Sequence, residues 1–479
     1  MPRRHIRVTG TPAAPLRAAL TALRAELGVP QDFPPEALAE AEQSAKNPVL
    51  PDHDTTADIF LFTIDPPTST DLDQAMHLSR QGTGYRVRYA IADVAAFVRP
   101  GGAVDTEAHR RVTTLYFPDT RVPLHPPVLS EGAASLLPGQ DRPAVLWTVD
   151  LDADGRTTAV DVRRALVRSR MRYDYETAQR RIDDGTAEEP LALLAEIGRL
   201  RERREAERGG ISLNVPEQEI VPHDHTYELA YRAPLPADGW NAQISLLTGM
   251  AAADLMLAHG TGVLRTLPAA PDGAVGRLRR TAQALRIDWP HHVPYAALIR
   301  SLDPREPRHA AFLQECTTLL RGAGYTVFRD GALPDITTHS AVAAPYTHCT
   351  APLRRLADRY AAELCLAAVA GQAPPDWALA ALDALPGEMA DGGRRANAVE
   401  RACVDIVEAA LLKDRVGEEF EGVVVDLGDR RPGTGTVQVE SPAVIGRIEN
   451  TAEDMLGRRL KVRLTQADPA ARRVIFTPA

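Results

Sequence analysis

Apolar and polar positions alternate with changing period along this chain. In residues 13–28, "AAPLRAALTALRAELG", apolar side chains recur at helical spacing and stop at a glycine, which predicts a helix. "VPQDFP" reads as a turn, and "PEALAEAEQSAK" as a second helix with proline near its start. Residues 1–50 thus form a small helical head, read either as a helix-turn-helix that binds RNA or as an arm packed on the next domain. The run "DIFLFTI" reads as a buried strand, and "YRVRYAIADVAAFV" alternates before turning apolar, as strands near a core do. "LALLAEIGRLRERREAERGG" predicts a helix whose second half is a solvated charged face. Residues 240–260, 271–286 and 352–370 also read as helices. No clean linker interrupts residues 51–412, which are assigned to one mixed α/β domain. From 413 to 479 the pattern shifts to short β runs, "EFEGVVVDLG", "GTGTVQVE", "AVIGRIEN", "RRLKVRLTQAD" and "RRVIFTPA". These predict a small barrel of the OB type. The fold class expected is α+β and multidomain.

A length of 479 residues agrees with two or three domains. Apolar residues make up 44 % and charged residues 25 %, the proportions of an ordinary globular protein. No apolar run is long enough to span a membrane, and the N-terminus lacks the apolar core of a secretory signal. Cys316, Cys349, Cys365 and Cys403 form no C-x-x-C pair. Free thiols and a cytoplasmic location are expected. The net charge of −9 argues mildly against a nucleic-acid partner, but it says little where charges are segregated. Lys46, Lys413 and Lys461 are the only lysines; arginine suits bidentate phosphate contacts, although compositional bias explains its dominance equally well.

Two stretches carry chemistry. "TIDPPTSTDLDQA" crowds Asp65, Asp71 and Asp73 just after a strand. Carboxylates repel one another, so a hard cation such as Mg2+ or Mn2+ is the natural partner. In an extended segment Asp71 and Asp73 share a side. The loop lacks the spacing of an EF-hand; a solvated turn is the bland alternative. In "YTHCTAPLRRLAD" a helix is expected to begin near Pro352 with Thr350 as cap. That would set Arg354 and Arg355 in its first turn, an anion site.

These motifs resemble those of the ribonuclease II and ribonuclease R family of exoribonucleases. "FTIDPPTSTDLDQA" is similar to its acidic signature and "HSAVAAPYTHCTAPLRRLAD" to its arginine signature. "TTLYFPDTRVPLHPPVLSEGAASLLPGQDRP" is similar to the segment between them. "ERACVDIVEAALLKDRVGEEFEG" is similar to the helix leading into its C-terminal barrel, an OB fold of the ribosomal-S1 type. The resemblance covers roughly residues 30 to 479. It implies a 3′→5′ exoribonuclease that threads single-stranded RNA processively and releases nucleoside 5′-monophosphates with Mg2+, or with Mn2+ in its place. It implies Asp65, Asp71, Asp73 and Gln74 around metal, and Asp73 and Arg354 as catalytic. Tyr116 would stack on the 3′-terminal base, and Arg355 and Glu400 would contact RNA. A monomer without an obligate partner is implied.

The departures are specific. Gln74 stands where the family has a fourth aspartate. Ala351 replaces serine, Leu356 replaces tyrosine, and Ala362–Glu363 replace a His-Arg pair. The stretch before the acidic signature is too short for the family's two cold-shock barrels. A competing reading is an RNA-binding protein on a weakened nuclease scaffold, favoured by Gln74. A D-x-D phosphatase built on "DLD" fails, because a proline-rich loop precedes the pair and glutamine follows it.

Overall fold

The computed structural model describes residues 14–479 apart from 51–53, 57, 216, 224, 225, 321 and 428–431. The head is two helices, α1 (Ala14–Glu26) and α2 (Pro35–Lys46). They bury their apolar faces in different places. Leu16, Leu20 and Leu23 of α1 join the cluster of the C-terminal region, while Ala37 and Ala41 of α2 join the layer beside the central sheet. The two helices thus share no core of their own. Arg24 fastens α1 further, with Nη1 and Nη2 donating to Asp119 at 2.8 and 3.1 Å.

The central sheet uses β1 (Asp54–Thr55), β2 (Leu61–Ile64), β3 (Gln74–Gln81), β4 (Gly84–Ala92), β7 (Asp141–Leu151) and β8 (Thr157–Tyr173). Helix α3 (Ala103–Arg111) and a small hairpin, β5 (Leu115–Tyr116) and β6 (Arg121–Val122), lie between β4 and β7. The strand order is β1-β8-β2-β3-β4-β7, and β8 pairs with β7 as well. The 17-residue β8 makes this closure possible: its first part lies antiparallel to β7 and its last part parallel to β2. Strand alternation explains why both faces are buried. On β4 and β7, Tyr85, Val87, Tyr89, Val145, Trp147 and Val149 point into the largest core. Their even-numbered neighbours Ala90, Ala92, Ala144 and Leu146 point into a second, thinner core. The small residues there let α2 approach closely.

The chain continues through α4 (Tyr175–Asp183), α5 (Glu189–Arg208), the hairpin β9 (Glu217–His223) and β10 (Thr226–Arg232), and α6 (Pro236–His259). Strand β11 (Gly262–Thr266) pairs with β12 (Gly324–Phe328) around α7 (Asp272–Ala284), α8 (Tyr295–Ser301) and α9 (Pro307–Cys316). The short pair β13 (Thr338–His339) and β14 (Ala344–Pro345) leads to α10 (Leu356–Ala370), α11 (Asp376–Ala381) and α12 (Leu385–Leu412). The tail forms a closed barrel of β15 (Glu419–Leu427), β16 (Thr434–Val439), β17 (Val444–Glu449), β18 (Arg459–Asp468) and β19 (Arg473–Pro478), ordered β15-β16-β17-β19-β18. Its interior, including Phe420, Val437 and Phe476, is continuous with Val404 and Val407 of α12 and with Leu115 and Val122 of the hairpin. The barrel is therefore joined to the rest by shared apolar burial. All four cysteines are buried and free. Among the described residues no helix is long and apolar enough to cross a membrane.

Candidate active site

Strand β2 ends at Ile64, and Asp65 extends its pairing, donating its backbone N–H to the Tyr173 carbonyl at 3.1 Å. Residues 65–73 then leave the sheet and return at β3. Two anchors set this loop. The backbone N–H of Leu72 donates to Ser135 Oγ at 2.9 Å, and Arg172 Nη2 donates to the carbonyls of Pro66 and Pro67 at 2.9 and 2.7 Å. Leu72 is fully buried. Its neighbours Asp71 and Asp73 differ: Asp73 is only 3 % exposed, whereas Asp71 lies at the rim.

Asp73 joins the two sequence motifs. Its Oδ1 accepts the backbone N–H of Leu353 at 2.8 Å, from 280 residues away. Its Oδ2 accepts Arg354 Nε at 2.9 Å. The Arg354 side chain is nevertheless 44 % exposed, so it is oriented from behind while its guanidinium reaches the open side. Burial pushes the Asp73 carboxyl up to about 7, against the pull of Arg354 and the Leu353 N–H. Burial likewise raises Asp65 to about 6, with Arg354 and Arg172 opposing and Asp71 adding to the rise. Asp71 therefore adds to the rise at both of the other carboxylates.

The helix expected from Pro352 begins at Leu356 instead. Residues 351–354 form a turn, because Asp73 takes the Leu353 N–H and buried Asp358 takes that of Ala351 at 2.7 Å. Arg355 occupies the position before the helix in an extended conformation, held by a bridge to Thr113. Thr350 is no cap; its hydroxyl bonds Ser245 at 2.8 Å. Arg354 is thus placed by Asp73 rather than by a helix N-terminus. The Nε and Nη2 of Arg355 meet Asp358 at 2.5 and 2.8 Å, an internal clamp on the turn.

Gln74 donates its side-chain N–H to the Thr350 carbonyl. A carboxylate there would face a carbonyl without a donor, so the amide suits this position and leaves only Oε1 for a ligand. Tyr116 lies beside the site, within electrostatic reach of both Arg354 and Arg121. Glu400 sits on α12 near Cys403, Asp119 and Arg24, behind the hairpin that carries Tyr116. It is not among the electrostatic neighbours of Asp65 or Asp73.

The sequence reading missed Arg121. Its Nη1 donates to Asp71 at 2.6 Å, and its Nε and Nη2 lie 3.1 and 2.8 Å from Glu131. The cross-strand register Tyr116↔Arg121 sets it opposite the tyrosine, a relation that no local pattern announces. Glu363, the substitute in the missing His-Arg pair, is buried and paired with Arg164, which also meets Asp93 at 3.0 Å. It belongs to a structural ion network.

Oxygen donors only are present, as a hard cation prefers. Asp65 Oδ2 is buried without a close hydrogen-bond partner, while the Thr63 hydroxyl beside it helps hold the carboxyl down, so Asp65 is the carboxylate left open for an ion. Asp71 and Asp73 are already neutralised by Arg121 and Arg354. Among the described residues no three acidic, histidine or cysteine side chains converge closely enough to hold a metal by themselves. The residues fit one ion at Asp65 completed by substrate oxygens, the habit of Mg2+, rather than a closed cage.

Comparison with known proteins accords with this geometry. Residues 54–371 match the RNB domain family, and residues 418–479 match the RNase II-type exonuclease C-terminal S1 domain. The chain is 30 % identical to the exosome complex exonuclease dis3 of Schizosaccharomyces pombe over 337 residues, 65 % of this chain and 34 % of that protein. It is 27 % identical to ribonuclease R of Aquifex aeolicus over 447 residues, 88 % of this chain and 61 % of that one. The chain thus spans less than two thirds of the length of either relative. The fold matches that of Mycoplasma genitalium RNase R, solved in complex with ribose-methylated single-stranded RNA. The TM-score is 0.83 at 20 % identity, covering 97 % of this chain and 78 % of that one.

Proposed function

The chain belongs to the RNB-domain family of the ribonuclease II and ribonuclease R type, and from that premise we propose that it is a 3′→5′ exoribonuclease. It acts on single-stranded RNA processively and releases nucleoside 5′-monophosphates. The observation that carries this reading is Asp73, buried and shared between the Leu353 N–H and Arg354 Nε. It unites an acidic loop with an oriented, exposed guanidinium, the pairing a phosphodiester hydrolase needs.

The residues divide the work. Asp73 orients Arg354, whose guanidinium balances the charge that builds on the phosphorus-bound oxygens in the transition state. Tyr116 stacks on the last base, which every base permits, so cleavage is insensitive to sequence. Asp65, with Asp71, Asp73 and Gln74 Oε1, would hold Mg2+, or Mn2+ in its place, and such an ion would supply Lewis acidity. Arg355 fixes the turn that presents Arg354, and Glu400 supports the wall behind Tyr116 and borders the RNA path. The division into residues 1–50, 51–412 and 413–479 assigns the arm, the catalytic body and an RNA-binding barrel. The chain acts as a monomer.

The test is a time course on 5′-labelled single-stranded RNA with Mg2+ or with EDTA, beside Asp73→Asn. Metal-dependent shortening that the variant abolishes supports the enzyme. RNA left intact in every lane yet shifted in a gel would mark an RNA-binding protein on a silent scaffold, the reading that Gln74 favours.

A further inference from the structure

A cavity of about 650 Å3 opens between α5, α6 and the start of β8. None of Asp65, Asp71, Asp73, Tyr116 or Arg354 lines it. Thr157 and Val160 at the first end of β8 border this cavity, whereas Tyr173 at the other end holds Asp65. Its wall carries Arg201, Arg204 and Arg208 from successive turns of α5.

These arginines are poorly matched. Arg201 is 5 % exposed; its Nη1 donates to the Gly155 carbonyl at 2.7 Å, and its Nε has no partner. Arg208 Nε donates to the Val342 carbonyl at 2.8 Å, and its buried Nη2 has none. Arg204 Nη2 meets Glu207 at 2.6 Å, and its buried Nε has none. Arg201 and Arg208 therefore hydrogen-bond neutral carbonyls, and the field of one buried carboxylate, Glu205, reaches both. The nearest buried carboxylate, Glu205, already receives Gln243 and Ser212 on its Oε2 at 2.5 and 3.0 Å. Buried donors are ordinarily satisfied, and crowding like charges is costly. Three guanidinium groups along one wall, each with an enclosed nitrogen that lacks a partner, favour an anion in the cavity beside them.

The floor is apolar, with Leu247, Met250 and Leu255 of α6. The volume lies within the range of about 300–1,000 Å3 that holds a drug-sized ligand, far more than a bare phosphate fills. Asp254 stands at the rim, an acceptor for hydroxyl groups. We propose that this cavity binds a nucleoside 5′-monophosphate. The phosphate lies on Arg201, Arg204 and Arg208, the base on the apolar floor, and the sugar hydroxyls face Asp254.

The test is calorimetric titration of the full chain with AMP, adenosine, inorganic phosphate and a short oligoribonucleotide, in wild type, Arg208→Met and Asp73→Asn. The expected result is one saturable AMP site with Kd below ~1 mM, weakened at least ~10-fold in Arg208→Met, as loss of a charge-assisted contact implies. It persists in Asp73→Asn. Ala258→Trp, on the exposed rim, blocks the site without touching buried arginine. Absence of AMP binding overturns the proposal, as does AMP binding lost in Asp73→Asn and kept in both pocket variants. Phosphate binding as tightly as AMP removes the role of the floor. Oligoribonucleotide binding lost in Arg208→Met without any AMP binding makes the groove part of an RNA path and overturns the nucleotide site. No RNA cleavage is read, so the result stands apart from the nuclease assignment.

Discussion

The acidic loop and the arginine cavity pose the same electrostatic problem with opposite signs. Three carboxylates crowd the end of β2, and three guanidiniums crowd one wall of α5. The loop answers with resident counter-charges: Arg121 on Asp71 and Arg354 on Asp73, leaving one orphaned oxygen at Asp65. The cavity answers mostly with neutral carbonyls, leaving three orphaned nitrogens. Crowded charge alone therefore does not mark a ligand site. What marks it is the donor or acceptor that the fold leaves without a partner, and how much space lies beside it.

The comparison can be broken most severely at Asp73. Asp73→Asn keeps the shape but removes the charge that orients Arg354, and RNA cleavage should fall by about 10³-fold or more, as loss of several kcal/mol of transition-state stabilisation implies. Single-turnover rates check it; a loss under tenfold would place the chemistry elsewhere. Arg354→Ala should cost about 10²–10³ in kcat, with Arg354→Lys recovering part of it, since lysine keeps the charge but not the planar fork. Recovery to the wild-type rate would show that orientation by Asp73 is unnecessary.

Tyr116→Ala tests the wall instead of the charge. Loss of one stacked base costs ~1–3 kcal/mol, so KM should rise roughly 5- to 150-fold for every terminal base, with Tyr116→Trp near wild type. A loss confined to one base would mean recognition of identity. Ala258→Trp, on the exposed rim of the cavity, should leave cleavage of saturating RNA within about twofold, because surface substitutions away from a site are near neutral; a large loss would join the two regions into one.

A further test comes from the buried histidines. Burial pushes His125 and His339 down to about 4, and holds His348 well below its ordinary value. The unfolded chain binds protons near 6.5 and the folded chain does not, so their stability is complete above pH 6.5 and is lost as pH falls toward 4. His125 alone accounts for on the order of 3 kcal/mol. Urea midpoints at pH 7 and pH 5 check the direction. Asp65 and Asp73, raised to about 6 and about 7, shift stability the opposite way over this range, so the difference is what decides: His125→Gln should lose less stability than wild type between pH 7 and pH 5, and an equal loss would contradict it.

Much of the site was readable from local spacing. A strand followed by three aspartates announced charge crowding, and both helices of the head stand near their expected bounds. The barrel followed from period-two runs broken by turn residues. The start of α10 was not readable, because Asp73 and Asp358 capture the N–H groups that Pro352 and Thr350 would have organised into a helix end. Arg121 was invisible for a similar reason: its partners Asp71 and Glu131 meet it only across a hairpin and a loop. Glu363 illustrates the converse. In sequence it is a departure that threatens RNA contacts, whereas in the fold it is buried against Arg164.

By itself the sequence determined which segments bury an apolar face, where carboxylates and arginines accumulate, and which family's motifs stand in order. Those are properties of neighbours along the chain. The tertiary structure decided which charges are neutralised and which remain open. That depends on partners such as Asp73 and Leu353, 280 residues apart, whose meeting is set by the closure of the sheet and not by local spacing. Gln74 states the distinction at one position. Its identity is read at once, but its role as donor to the Thr350 carbonyl exists only after the chain has folded.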